Sequence, residues 1–185
     1  NTGICGTRYF FKTLADNGMN DVAYEAMNKC DFPSYGNWIK QGATTTWEEW
    51  NGTESHNHPM FGGGLVWFYQ DLAGVNIDEK EPGYKHIIIK PVLSSKLDHV
   101  YYSNITPYGK VVSEIKQNVN RLEMDVTIPV GSYSTIYIPV SKTFEITENG
   151  VPLNKVKGMR IFGKDGDCYV VEVKQGSYHF CVANK

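Results

Sequence analysis

Two adjacent glutamates, Glu48 and Glu49, stand between Trp47 and Trp50 in the run Ala43-Thr-Thr-Thr-Trp-Glu-Glu-Trp50. Indole rings can cover the apolar face of a pyranose, and carboxylates accept hydrogen bonds from its hydroxyl groups. Hydrolysis of a glycosidic bond uses two carboxyl groups, one as acid and the other as base or nucleophile. The run therefore indicates a carbohydrate site that carries one half of such a pair.

Two histidines and an asparagine follow directly, in Ser55-His-Asn-His58. Their side chains can exchange hydrogen bonds with sugar hydroxyls. Histidines two residues apart could also bind a metal, but no third ligand accompanies them, and the four cysteines lack CxxC spacing. We therefore expect no metal and no cofactor. Phe61-Gly-Gly-Gly64 is too short for a phosphate loop, and close helix packing explains it better.

The composition excludes several kinds of partner. The net charge is -2 over 185 residues, which gives no indication of a nucleic-acid or acidic-membrane partner. No apolar run approaches the roughly 18 residues that a membrane span needs. The chain begins at Asn1 without a methionine or a signal-peptide pattern, and we interpret this beginning as a cut in a longer protein.

Apolar residues recur at helical spacing up to about residue 80. The spacing predicts a helix over 7–17, a second capped by Asp21, a third through Trp38 and a fourth over 61–72. The fourth is apolar on most sides, which is typical of a helix buried in a larger assembly. The four helices could be a compact cap, or they could finish a larger helical barrel whose earlier helices are missing. An apolar face exposed by such a truncation would favour self-association.

The period changes to two from Pro82 onward. A hairpin with its turn at 118–120 joins strands predicted over 110–116 and 121–128. Further strands are predicted over 86–91, 100–102, 134–138, 144–147, 168–173 and 178–182. Short strands at this spacing predict an antiparallel β-sandwich. We therefore predict a multidomain α+β chain, with helices in residues 1–80 and the sandwich in residues 83–185.

The chain resembles the C-terminal part of the bacterial α-L-rhamnosidases of glycoside hydrolase family 78. The resemblance rests on motifs that occur in the family's order and spacing. They are Asn1-Thr-Gly-Ile-Cys-Gly-Thr7, Phe32-Pro-Ser-Tyr-Gly36, Gln41-Gly-Ala-Thr-Thr-Thr-Trp-Glu-Glu-Trp50, Ser55-His-Asn-His58 with Phe61-Gly62, and Pro82-Gly-Tyr-Lys-His-Ile-Ile-Ile-Lys-Pro91. The combination is specific, although Gly-Thr or Asn-His alone would be weak.

The resemblance implies an (α/α)6-barrel catalytic domain, of which residues 1–80 supply only the last helices, followed by an antiparallel β-sandwich. It implies inverting hydrolysis of terminal α-L-rhamnosides, with a rhamnose-containing oligosaccharide or plant glycoside as substrate. The family's general base lies in its Trp-Glu-x-Trp motif, which carries over onto Glu48. Its general acid lies upstream of Asn1, so we expect this chain alone to be inactive.

The resemblance also concerns the residues around Glu48. His58 aligns with the family's histidine that contacts the bound sugar, and Asn57 either contacts the sugar or braces the loop. Trp47 and Trp50 are either core residues or walls of the sugar subsite. Glu49 would be the base if the register were shifted by one residue. The alternative function is a non-catalytic carbohydrate-binding module, in which this loop only holds a sugar.

Overall fold

The computed structural model describes residues 2–141 and 143–184, the last of these by its backbone alone. It divides into two compact units, residues 1–71 with 94–96, and residues 72–93 with 97–185. The predicted boundary at residues 80–83 falls within the second unit, between two strands that pair with each other. In the described part of the chain, we find no helix with the length and apolarity to cross a membrane.

The first unit is helical. Its helices are α1 (Gly3–Asp16), α2 (Asn20–Asn28), α3 (Tyr35–Lys40), α4 (Gly62–Leu65) and a π-helical turn (Phe68–Leu72). The first three predicted helices are confirmed. Their buried faces meet in an aromatic core, whose most deeply buried aromatic side chains are Phe61, Trp67 and Trp38, exposed by 1%, 1% and 2%.

The single helix predicted over 61–72 is wrong, because the segment is split into α4 and the π-helical turn. Glycine has low helix propensity, and α4 begins with three of them. The glycines are nevertheless needed. A Cβ on Gly63 would lie 2.9 Å from Arg8 Cβ, and one on Gly64 would lie 2.4 Å from Tyr35 Oη. The expected close helix packing is therefore confirmed at these two positions.

The sequence predicted that Asp21 caps α2, and this prediction is wrong. Its Oδ1 instead accepts hydrogen bonds from Ser94 Oγ and from the Ser95 backbone N–H, both at 2.7 Å, and its Oδ2 accepts one from Ser95 Oγ. Hydrogen bonds from the Ser95 and Ser94 side chains lower the pKa of the Asp21 carboxyl. Lys96 adds an ion pair to Glu25 at 3.3 Å. These contacts hold segment 94–96 on α2.

The second unit contains all nine strands of the described residues. They are β1 (Val75–Ile77), β2 (His86–Ile89), β3 (His99–Thr106), β4 (Gly109–Gln117), β5 (Arg121–Pro139), β6 (Phe144–Glu148), β7 (Val151–Pro152), β8 (Arg160–Asp165) and β9 (Cys168–Asn184). The hairpin predicted at 118–120 is confirmed by the antiparallel pairing of β4 with β5. β1, β7 and β8 were not predicted.

The strands form two layers because β5 and β9 are long enough to serve in both. The first layer has the order β3–β4–β5–β9–β6–β7 and uses residues 121–128 of β5. The second has the order β1–β2–β5–β9–β8 and uses residues 133–139 of β5. A register shift between Ile128 and Tyr133 separates the two halves. The predicted fold class is confirmed, with one parallel pair, β2 with β5.

One apolar core serves both layers. Alternate residues of β5 are buried along its whole length, from Leu122 and Met124 to Ile136 and Ile138. These side chains belong to one cluster with Phe180 of β9. The period of two in the sequence thus corresponds to the core face of each strand.

Candidate active site

The loop over residues 45–58 presents the two glutamates at its tip. The backbone N–H of Glu48 donates to Ser55 O, and that of His58 donates to Thr46 O, both at 2.8 Å. The turn between these segments is closed by the Gly52 N–H, which donates to Glu49 O at 3.1 Å. Glu48 is therefore the last residue before the turn, and its backbone position is fixed.

The threonines that precede the glutamates hold the two segments of this loop together. Thr46 Oγ1 donates to His58 O at 2.6 Å, and Thr45 Oγ1 donates to His56 O. Short β-branched hydroxyl side chains reach a neighbouring backbone carbonyl without a large loss of rotamer freedom. The threonine run is thus a structural part of the loop that carries Glu48.

Trp47 is a core residue of the loop, exposed by 6%. Its ring stacks on His56, with ring centroids 4.0 Å apart and an angle of 6° between the planes. A Cβ on Gly52 would lie 2.6 Å from Trp47 Cζ3, so the glycine allows this close approach. His56 is also held by Gly52 O, which lies 2.9 Å from its Nε2. Trp47 thus fixes the backbone that leads into Glu48.

Trp50 lies on the aromatic core of the first unit. Its ring centroid is 4.2 Å from that of Phe61, 4.5 Å from that of Trp38 and 5.3 Å from that of Tyr35. Trp38 Nε1 donates to Trp50 O at 2.9 Å, which anchors the turn. Within the described residues, Trp50 Nε1 is buried without a hydrogen-bond partner.

A cleft of about 410 Å³ opens beside the tip of the loop. Its volume is in the range of about 300–1,000 Å³ that is usual for small-molecule sites. Among its lining residues are Ile4, Phe32, Glu48, Glu49, Trp50 and Phe61. Two carboxylates and an indole thus share one cleft with the apolar side chains of Ile4, Phe32 and Phe61.

The two carboxylates differ in their contacts. Glu49 is exposed, and its Oε2 accepts a hydrogen bond from Thr53 Oγ1 at 3.0 Å across the turn. Glu48 is half-buried, and its carboxylate has no hydrogen bond or ion pair to another described residue. Glu49 is therefore engaged within the turn, whereas Glu48 keeps all its acceptor positions for a ligand or water.

His58 and Asn57 are not among the residues that line this cleft. His58 is half-buried, and its Nδ1 accepts the Met60 backbone N–H at 3.3 Å. Asn57 is exposed. Its backbone N–H donates to Ser55 Oγ at 3.2 Å, so the loop is braced at this position by the Ser55 side chain. Among the described residues, no group of three His, Cys, Asp or Glu side chains is placed to hold a metal ion.

Two further residues shape this unit: Tyr35, whose place in the helix before the motif had suggested a wall of the cleft but which is not among its lining residues, and Asp71, which sequence reasoning missed. Tyr35 Oη donates to Phe61 O at 2.5 Å in the buried core, which fixes Phe61 beside the cleft, and burial raises the pKa of this phenol. Asp71 is exposed by 5%, and burial raises the pKa of its carboxyl to about 6 although Lys12 Nζ lies 3.9 Å away. The sequence does not mark Asp71, since an acid in a helical pattern is usually a surface residue.

The whole chain is similar to one group of known proteins. The family model of the bacterial α-L-rhamnosidase 6 hairpin glycosidase domain matches residues 1–72. That of the bacterial α-L-rhamnosidase C-terminal domain matches residues 74–151. The chain belongs to the bacterial α-L-rhamnosidase family. The resemblance inferred from the motifs is thereby confirmed.

Relatives within the family match nearly the whole chain, but the chain matches only part of them. An α-L-rhamnosidase of Formosa agariphila is 32% identical over 156 residues, which are 80% of this chain and 16% of that protein. The structure of an α-L-rhamnosidase from Dictyoglumus thermophilum superposes with a TM-score of 0.85 at 34% identity, over 98% of this chain and 21% of that one.

A second solved structure, of a Streptomyces avermitilis α-L-rhamnosidase complexed with L-rhamnose, has the same fold. It superposes with a TM-score of 0.81 at 24% identity, over 97% of this chain and 18% of that one. This chain therefore spans about a fifth of the length of the proteins it resembles.

Proposed function

We propose that this chain supplies the general base of an inverting glycoside hydrolase that cleaves terminal α-L-rhamnose from rhamnosides, and that Glu48 is this base. The observation that carries the proposal is the cleft in which Glu48 lies beside Trp50 and Phe61 with its carboxylate unpaired among the described residues. Family membership supports the substrate class, since the relatives are α-L-rhamnosidases.

In an inverting enzyme, the base removes a proton from a water molecule that attacks the anomeric carbon. A general acid protonates the departing glycosidic oxygen on the opposite face, and the two carboxyl groups stand about 6.5–9.5 Å apart to admit the water. Glu48 meets the demands on the base, because its backbone N–H is bonded to Ser55 O and its carboxylate is free to accept a proton. We propose that the general acid comes from a part of the complete enzyme outside this chain.

The sugar-binding roles follow the same proposal. Trp50 lines the cleft and offers an indole as one wall of the sugar subsite. Trp47 acts on the site through the loop, because it is buried against Gly52 and His56. Contacts of His58 and Asn57 with the sugar stay predictions. So does self-association through the helical unit, which has large exposed apolar side chains such as Ile39, exposed by 70%.

The test compares Glu48→Gln with Glu49→Gln in the complete enzyme, on an aryl α-L-rhamnoside. Loss of the base should lower kcat by about 10²–10⁴-fold and leave KM nearly unchanged. Glu49→Gln is the matched control, since it removes the same charge from the same cleft, and we expect a change of only a few-fold. NMR of the first product should show β-L-rhamnose.

Other outcomes would contradict the proposal. A large loss of kcat in Glu49→Gln alone would move the base to that residue. An increase in KM at unchanged kcat in Glu48→Gln would favour the carbohydrate-binding module, in which the glutamate only holds the sugar. A first product with the α configuration would exclude inversion.

A further inference from the structure

A second cleft, of about 510 Å³, lies on the second unit. Its lining residues include Lys85, Tyr133, Arg160, Glu172, Lys174 and Gln175. Tyr133 of β5 pairs with Lys174 of β9, and Arg160 of β8 pairs with Glu172 of β9. Paired residues, and residues two apart on one strand, point to the same face of a sheet. These four side chains therefore share the face opposite to buried Val173.

The charge of this cleft is opposite to that of the chain. Among the lining residues, the three cations Lys85, Arg160 and Lys174 and the one carboxylate, Glu172, leave 3 − 1 = 2 positive charges in a chain of net charge -2. The carboxylate of Glu81, which is outside the lining, accepts a hydrogen bond from Tyr133 Oη, and the cleft stays positive when that charge is included. Within the described residues, none of the three cations forms a salt bridge. Their charges are therefore available to an anionic ligand.

Several of these side chains are held in place before any ligand binds. Lys85 Nζ donates to Gly131 O at 2.7 Å, and the Arg160 guanidinium lies 4.7 Å from the centroid of the Phe162 ring. The Tyr133 ring stacks on His86 with centroids 4.3 Å apart, and its hydroxyl donates to Glu81 Oε1 at 2.5 Å. Fixed side chains lose little conformational entropy on binding, so they are suited to recognition.

We propose that this cleft binds the carboxylate of an acidic sugar, that is, a uronate. A guanidinium with two ammonium groups nearby matches one carboxylate, which it can bind in a bidentate manner. Glu172 and the Gln175 amide offer acceptors to sugar hydroxyls. Glu172 also repels additional negative charge, which favours a singly charged sugar over doubly charged phosphate. The site does not depend on the role proposed for Glu48.

Amide chemical-shift titration of the full chain by NMR tests the proposal. The probes are sodium D-glucuronate, D-glucose and inorganic phosphate at matched ionic strength, because glucuronate and glucose differ only at C6. We expect glucuronate to shift the amides of Tyr133, Gly158 and Lys174, and glucose to leave them unchanged. Arg160→Gln should weaken glucuronate binding by about tenfold or more, as the loss of a charge-assisted hydrogen bond does.

The matched control is Lys164→Gln, which removes a positive charge from the same strand outside the cleft. It should bind glucuronate like the wild type, and so should Glu48→Gln, which separates this site from the proposed hydrolysis. Unfolding curves of each variant verify that the second unit is folded. Equal binding of phosphate, equal binding of glucose, or no shifts with glucuronate would each overturn the proposal.

Discussion

Gly52→Ala should destabilise the loop that carries Glu48 by a predictable amount. Gly52 has φ of +71°, a conformation that costs an L-residue roughly 1–2 kcal/mol. Its new Cβ would also lie 2.6 Å from Cζ3 and 2.9 Å from Cε3 of Trp47, which is buried and cannot move freely. Overpacking of this kind costs about 1–3 kcal/mol. The two contributions give a loss of roughly 2–5 kcal/mol in the free energy of unfolding.

Gly18→Ala provides the matched control for this variant. Gly18 lies in the same unit with φ of +70°, but a Cβ there would meet no atom within 4 Å. Gly18→Ala therefore has the cost of the left-handed backbone conformation and the same reduction of unfolded-state entropy as Gly52→Ala, but no steric clash. The difference between the two variants isolates the clash with Trp47, for which we expect about 1–3 kcal/mol.

The assay is urea unfolding followed by tryptophan fluorescence. All four tryptophans, at positions 38, 47, 50 and 67, lie in the first unit, so the signal reports on that unit. If Gly52→Ala were destabilised no more than Gly18→Ala, the packing of Trp47 on Gly52 could not be what fixes the loop. In the complete enzyme, we expect Gly52→Ala to lower kcat as well, since Trp47 precedes Glu48.

Two further variants test the core of the first unit by urea unfolding. Tyr35→Phe removes one of two donors to the Phe61 carbonyl, which keeps the Gly64 backbone N–H at 3.1 Å, and should cost about 0.5–1.5 kcal/mol, so an unchanged stability would contradict the bond. For Asp71, burial raises the carboxyl pKa from 3.8 to about 6, so the native state binds the proton more tightly than the unfolded state. Wild-type stability should therefore fall as pH rises from about 4 to 6 and then level off, whereas Asp71→Asn should lack this decline. The same pH dependence in both proteins would exclude Asp71 as its cause.

The local sequence pattern was sufficient to predict most strands of the second unit. The alternation over 110–116 and 121–128, with turn residues between, predicted β4, the start of β5 and their hairpin. Hairpins form between neighbours in sequence, so the pattern contains the pairing as well as the strands. The partner of β2 was not predictable in this way, because its parallel pairing with β5 joins residues 47 apart.

In the candidate site, too, some features followed from the sequence and others depended on the tertiary structure. The run around Glu48 was sufficient to suggest a carbohydrate site, and the combination of motifs along the chain indicated the family. Whether each tryptophan is a wall or a core residue depends on which side chains pack against it. The structure places Trp47 in the core and Trp50 beside the cleft. The roles of Glu48, His58 and Asn57 in binding and catalysis stay predictions.

The sequence by itself determined the family, the helical and β parts, and the position of the paired carboxylates. These features depend on residue type, spacing and periodicity, which are local properties of the chain. Only the tertiary structure decided the break between α4 and the π-helical turn, the segment that Asp21 holds, and the positive cleft around Arg160. Each of these depends on contacts between residues distant in sequence, and the geometry of such contacts is set by packing rather than by any local pattern.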